Sequence, residues 1–162
     1  MLKAIALIAP LIAFAATSSL AQNGPEHPQI DNSGKGAVLC LQEMLIATKA
    51  GVQACKWTRT PTDDVIDKAL SDIAAFVVAN SSQPVTREQI DKDAEDELRF
   101  YLDDATGEYA SDYCPANPED PVNKNKGGVL AWTIHTMAPA TLGAMVADAL
   151  SIPREPLLNP CL

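Results

Sequence analysis

The chain has 162 residues, with 21 acidic side chains against 12 basic ones and a formal charge of −9. That balance argues against nucleic acid and against anionic membrane surfaces as partners, because both select a basic patch. It permits a cationic protein partner, although an acidic surface more often serves solubility alone.

Met1-Leu2-Lys3 forms a short basic start, Ala4 to Ala16 is an apolar run broken by Pro10, and Ser19-Leu20-Ala21 is a small-x-small site. The run is shorter than the roughly 20 residues a spanning helix needs, so residues 1–21 are expected to be a secretory signal peptide. A periplasmic or secreted protein with no membrane insertion after cleavage follows. Cleavage removes Lys3 and no acid, so the mature chain is more acidic still. Cys40, Cys55, Cys114 and Cys161 all survive cleavage, and an even count in an exported chain reads as disulfides.

Residues 22–35 are polar and rich in Gly, Pro and Asn, and are expected to be a flexible lead-in. A single domain is expected over 36–162. Its first helix is predicted from about Gly36 to Ala50, with Val38, Leu41 and Leu45 inward and Gly51 as the stop. The next begins at Thr60-Pro61, where Pro suits the first helical position and Asp63 and Asp64 face the positive end of the dipole. Val65, Ile66, Ala69, Leu70, Ile73, Ala74, Phe76 and Val77 give it an apolar face, and Asn80-Ser81-Ser82 with Pro84 ends it.

A third helix opens on a capping box, Thr86 with Gln89, flanked by Val85 and Ile90 at the staple positions. Ile90, Ala94, Leu98, Tyr101 and Leu102 share one face. Glu88, Asp91, Asp93, Glu95, Asp96 and Glu97 are assigned to the solvent face, and Ala105-Thr106-Gly107 ends the helix. The second and third helices are expected to form a hairpin around which the rest of the chain packs. Residues 108–128 read as irregular. Val129 to Met137 has the composition of a strand but no strand to pair with, so a buried helix is expected there. Pro139 starts a last helix with Leu142, Met145, Val146, Ala149 and Leu150 inward, and residues 151–162 form an extended tail. The fold class is all-α: a small disulfide-braced bundle of four to five helices with irregular loops.

Cys40 and Cys55 are poor partners for each other. A helix from Cys40 to Gly51 carries the chain about 16 Å. The four remaining steps return at most about 14 Å, and would have to double straight back to reach the roughly 5.5–6 Å of a bridge. Each is therefore expected to pair downstream: Cys55–Cys114 with Cys40–Cys161, or the crossed arrangement.

Few chemistries have the residues they need. Two histidines, His27 and His135, with no Cys-x-x-Cys or His-x-x-x-His, predict no metal site. Asp91-Lys-Asp93-Ala-Glu95 starts like a calcium loop but has Asp96 where Gly is required and Leu102 where Glu is required. No Gly-x-Ser-x-Gly elbow and no phosphate-binding loop is present, and no cofactor is expected. His135, set between Ile134 and Thr136, reads as a core or boundary histidine rather than a general base.

Trp57, between Lys56 and Arg59, reads either as cover for a helix corner or as an interface anchor. The Asn159-Pro160-Cys161 ending after the last helix is similar to that of small exported helical immunity proteins of the Tai type. The resemblance covers only the C-terminal part, departs in the long stretch between Cys55 and Cys114, and gives no residue a role.

The leading expectation is an exported, non-enzymatic helical module that binds another protein as inhibitor, immunity factor, chaperone or envelope component. Glu88, Asp91, Glu95 and Trp57 are its candidate contacts. The alternative is a small envelope hydrolase cleaving cell-wall glycan through loop carboxylates such as Glu108 and Asp112.

Overall fold

A computed structural model describes residues 29–106, 114 and 126–160. The described part is all helical: α1 (Val38–Ala54), α2 (Pro61–Asn80), α3 (Arg87–Thr106), α4 (Lys126–His135) and α5 (Pro139–Ala149). Val129 to Met137 is thus mostly helix, and α4 begins three residues before that stretch. Glu108 and Asp112 lie outside the described residues.

The hub of the bundle is α1, not the α2–α3 pair. Helix α1 packs against α2, α3 and α4 together, and α3 leans on α1 more than on α2. Its sequence explains why. Cys40, Leu41 and Gln42 are all buried, as are Leu45, Ile46 and Thr48, so the helix is covered on more than one face. A helix apolar around most of its circumference belongs inside a bundle. Thr48 is accommodated there because its hydroxyl donates to the Met44 carbonyl at 2.7 Å.

Gly51 does not stop α1, which runs on to Ala54. A Cβ at Gly51 would stand 2.9 Å from the Trp57 ring, so this glycine provides close approach rather than a C-terminal turn. The turn comes instead at Lys56, which has a positive φ of 54°. Cys55, at that corner, is bridged to Cys114, with 5.2 Å between α-carbons. Cys40 is also disulfide-bonded; its expected partner, Cys161, lies outside the described residues.

The core joins Val38, Leu41 and Leu45 of α1 to Ile66, Ile73 and Val77 of α2, Ile134 of α4, and Leu142 and Val146 of α5. Full burial of each large aliphatic side chain here contributes about 1.5–3 kcal/mol. Helix α3 opens on the expected box: Gln89 Oε1 accepts from the Thr86 N–H at 2.9 Å, and Thr86 Oγ1 accepts from the Gln89 N–H at 3.2 Å. It folds back on α2, where Arg87 reaches the backbone and hydroxyl of Ser71.

The second half of the lead-in is anchored, not loose. Ile30 forms an isolated parallel bridge with Asn159, and Asp31 donates its N–H to the Asn159 carbonyl at 2.6 Å. The buried Asp31 carboxylate receives Arg154 Nε at 2.7 Å. Arg154 also donates to the carbonyls of Gly36, Ala149 and Ile152. A buried carboxylate met by a guanidinium fixes both strands of chain at once, which composition alone does not reveal. The tail also does the work of a cap. No side chain caps α1, and the Leu157 carbonyl instead accepts the N–H of Leu39 at 3.0 Å.

Among the described residues no single helix is long and apolar enough to cross a membrane; α4 and α5 meet at a bend of 107°.

Candidate functional site

Two places gather polar side chains inside the fold. The first is the junction between the start of α2 and the end of α4. Asp63 is buried, and its carboxylate accepts from the Thr60 N–H while lying 3.0 Å from His135 Nδ1. The indole of Trp57 stacks on the imidazole with centroids 5.4 Å apart, and Trp132 meets Trp57 edge-on at 5.0 Å. Thr62 Oγ1 donates to the Met137 carbonyl at 2.7 Å. Every polar partner here is supplied by the fold, and His135 is only 2% exposed. A general base needs access to a substrate proton, and this imidazole faces ring carbon and a carboxylate instead. The junction is a buried latch between helices, held by aromatic contacts and one imidazole–carboxylate bond. Trp57 belongs to it: the ring is half-buried and engaged by Gly51, Trp132 and His135.

The second place lies along α3, which leaves a groove on each flank. Each has a volume of about 360 Å³, and the two share Gln42, Ile90 and Ala94. The small Ala94 side chain leaves room that a larger one would fill. The first groove, between α1, α2 and α3, is mostly charge-compensated, with Glu95 the one acid in its lining that has no ion pair among the described residues. Lys49 pairs with Asp67 at 2.7 Å and Arg87 pairs with Asp91 at 2.7 Å. Burial alone would raise the pKa of Asp67, but hydrogen bonds from Lys49 and Arg59 hold it below the usual carboxylate value.

The second groove runs between α1, the end of α2, α3 and the tail. Leu39, Val77, Val85, Ile90, Pro156 and Leu158 give it apolar walls. Its charged lining is Glu43, Asp93 and Glu97, with no basic side chain. Partial burial raises the pKa of Glu97, and the nearby charge of Glu43 raises it further; burial likewise raises that of Glu43. Gln42 sits at the boundary between the grooves, 8% exposed, and lines both.

The sequence candidates are distributed unevenly over this geometry. Glu88 is fully on the outside, while Asp91 and Glu95 are exposed and line the first groove. Trp57 is at the latch and joins none of them. Glu97 is not on the solvent face. It is half-buried and lines the second groove, because Ile90, Ala94, Glu97 and Tyr101 follow each other at helical spacing. Gln42 and Glu43 were not among the candidates. Their signal was present as two consecutive polar residues within the apolar run Val38 to Ile46.

Among the described residues no group of three or more His, Cys, Asp and Glu side chains is placed to hold a metal ion. No family model, curated protein or solved structure matches the chain.

Proposed function

We propose that the chain is an exported, non-enzymatic protein-binding module, acting as an inhibitor, immunity factor, chaperone or envelope component. The observation that carries this reading is the second groove, an apolar channel whose only charges are carboxylates without counter-charges. Apolar walls with a few fixed polar groups are the usual composition of a recognition site. Leu158, on its rim, is 41% exposed. The acidic outer face of α3, with Glu88, Asp93 and Glu95 exposed, extends the negative field beyond the groove and favours a cationic protein. The signal-like start of the chain supports export, and the Cys55–Cys114 bridge is compatible with a periplasmic or extracellular location.

The test is photo-crosslinking in the native envelope from a reactive residue placed at Leu158, with a control at Ala75, exposed on α2. One discrete protein adduct, formed from Leu158 but not Ala75 and weakened as salt rises from about 0.05 to 0.2 M, is the expected result. Equal labelling from both positions would contradict the reading. So would turnover of peptidoglycan by the purified protein that is lost on Glu108→Gln.

A further inference from the structure

We propose that α3 is a hinged strap. It opens as a unit from α1 and α2 about its N-terminal turn, while the other helices stay folded, and so joins the two grooves into one. This inference is independent of the protein-binding reading, and either can fail alone.

Burial is the first support. Helix α3 has 20 residues, more than half of them charged, and none of its side chains over residues 87–103 is buried. Helix α2, of the same length, buries seven. Phe100 of α3 is 61% exposed. Among the described residues of α3, Ile90 in the first turn is the one side chain packed against the main core. Helices in proteins owe most of their stability to packing, so an element with so little of it opens ahead of the rest.

The attachments are the second. The ion pairs of α3 among the described residues, Arg87–Asp91 and Arg99–Asp96, both lie within the helix and hold it to no other element. Across to α2, Arg87 reaches the Ser71 carbonyl and hydroxyl over 3.4 and 3.3 Å, longer than the usual value of roughly 2.9–3.0 Å. The firm contacts gather at the N-terminal end. Ser82 donates its N–H and Oγ to the Glu155 carboxylate at 2.7 and 3.1 Å, and Val85 packs on the core beside Ile90. That end is the pivot. The chain beyond α3 is tied to the body again by the Cys55–Cys114 bridge, so the opened strap stays tethered. Its release bares Ile46 of α1 and Ala74 of α2, which line the first groove and are each 2% exposed when it is closed.

Native-state hydrogen exchange of the disulfide-bonded protein, followed by NMR at rising guanidinium chloride below the unfolding transition, tests the strap. The amides of Ala94 and Leu98 are expected to share one opening free energy, lower than that of Leu45 in α1 and Ala69 in α2. Their denaturant slope should be smaller than that of the other two but not zero. Ile73→Val, in the core that stays closed, separates local from global opening. It should speed exchange at Leu45 and Ala69 about twofold to tenfold, the equivalent of a typical Ile→Val cost, and leave Ala94 and Leu98 unchanged. Equal acceleration at all four amides overturns the proposal, because α3 would then open only with the whole bundle. A zero slope at Ala94 and Leu98 overturns it too, since fraying residue by residue is not the release of a strap.

Discussion

The two grooves beside α3 have the same volume and share Gln42, Ile90 and Ala94, yet they differ in charge balance. In the first, Lys49 and Arg87 neutralise Asp67 and Asp91. In the second, Glu43, Asp93 and Glu97 have no basic neighbour in the lining. Folding is served by the first arrangement and opposed by the second, because unpaired carboxylates in a partly desolvated groove repel each other and lose hydration. A fold that compensates its charges on one flank and not on the other separates a supporting surface from a receptive one.

The largest expected effect breaks the second groove while leaving the first. Arg154→Ala strips the buried Asp31 of its charged partner, leaving only the bond from the Ser33 N–H, and loosens the tail that supplies Pro156 and Leu158. A cost of up to about 3 kcal/mol is expected in urea unfolding near neutral pH, the low end for a buried carboxylate left without its counter-charge, because Ser33 still donates to it. It should shrink in acid. Burial raises the pKa of Asp31, but hydrogen bonds from Arg154 and Ser33 outweigh it and leave the value below normal. The stability from this carboxylate is therefore present above its unfolded pKa and lost as pH falls through the folded one.

Gln42→Leu sharpens the comparison from the shared boundary. Exchanging this largely covered amide for an apolar side chain of similar volume should be neutral or stabilising by about 1 kcal/mol. A large loss of stability would mean that the amide is tied into the fold rather than lining the grooves.

Glu97→Gln addresses the uncompensated side directly. The folded pKa of Glu97 is raised, by burial and then by Glu43. For such an acid the folded state is favoured below the unfolded pKa, and that advantage is lost as pH rises through the folded value. At pH 7 the ionised group weighs against folding, and the amide relieves it. Thermal melts should therefore show a higher midpoint for the variant at pH 7 and none of that gain at pH 3. The smallest effect belongs to the compensated side. Arg87→Ala removes an exposed pair with Asp91 and should change stability by no more than about 1 kcal/mol.

The sequence shows these features to different degrees, for physical reasons. The boundaries of α2 and α3 were legible because caps are local: Thr60 with Asp63, and Thr86 with Gln89, lie three residues apart. The central place of α1 was hidden because a helix apolar on several sides has no single face for periodicity to pick out. Gly51 was misread as a stop because its reason for being small is Trp57, across the corner. Assigning Glu97 to solvent followed residue type where helical position decided. The latch, Asp63 with His135, and the anchor, Asp31 with Arg154, join residues 72 and 123 positions apart, and no local pattern announces them.

The central claim is that one flank of α3 is mostly compensated and the other is not, and carbon-detected NMR titration of the side-chain carboxyls measures it directly. Glu43 and Glu97 are expected to titrate above the ordinary glutamate value, and Asp67 below the ordinary aspartate value, in the same protein and the same experiment. Glu97 at or below the ordinary value would mean that a cation already answers it, and the account of the second groove would fail.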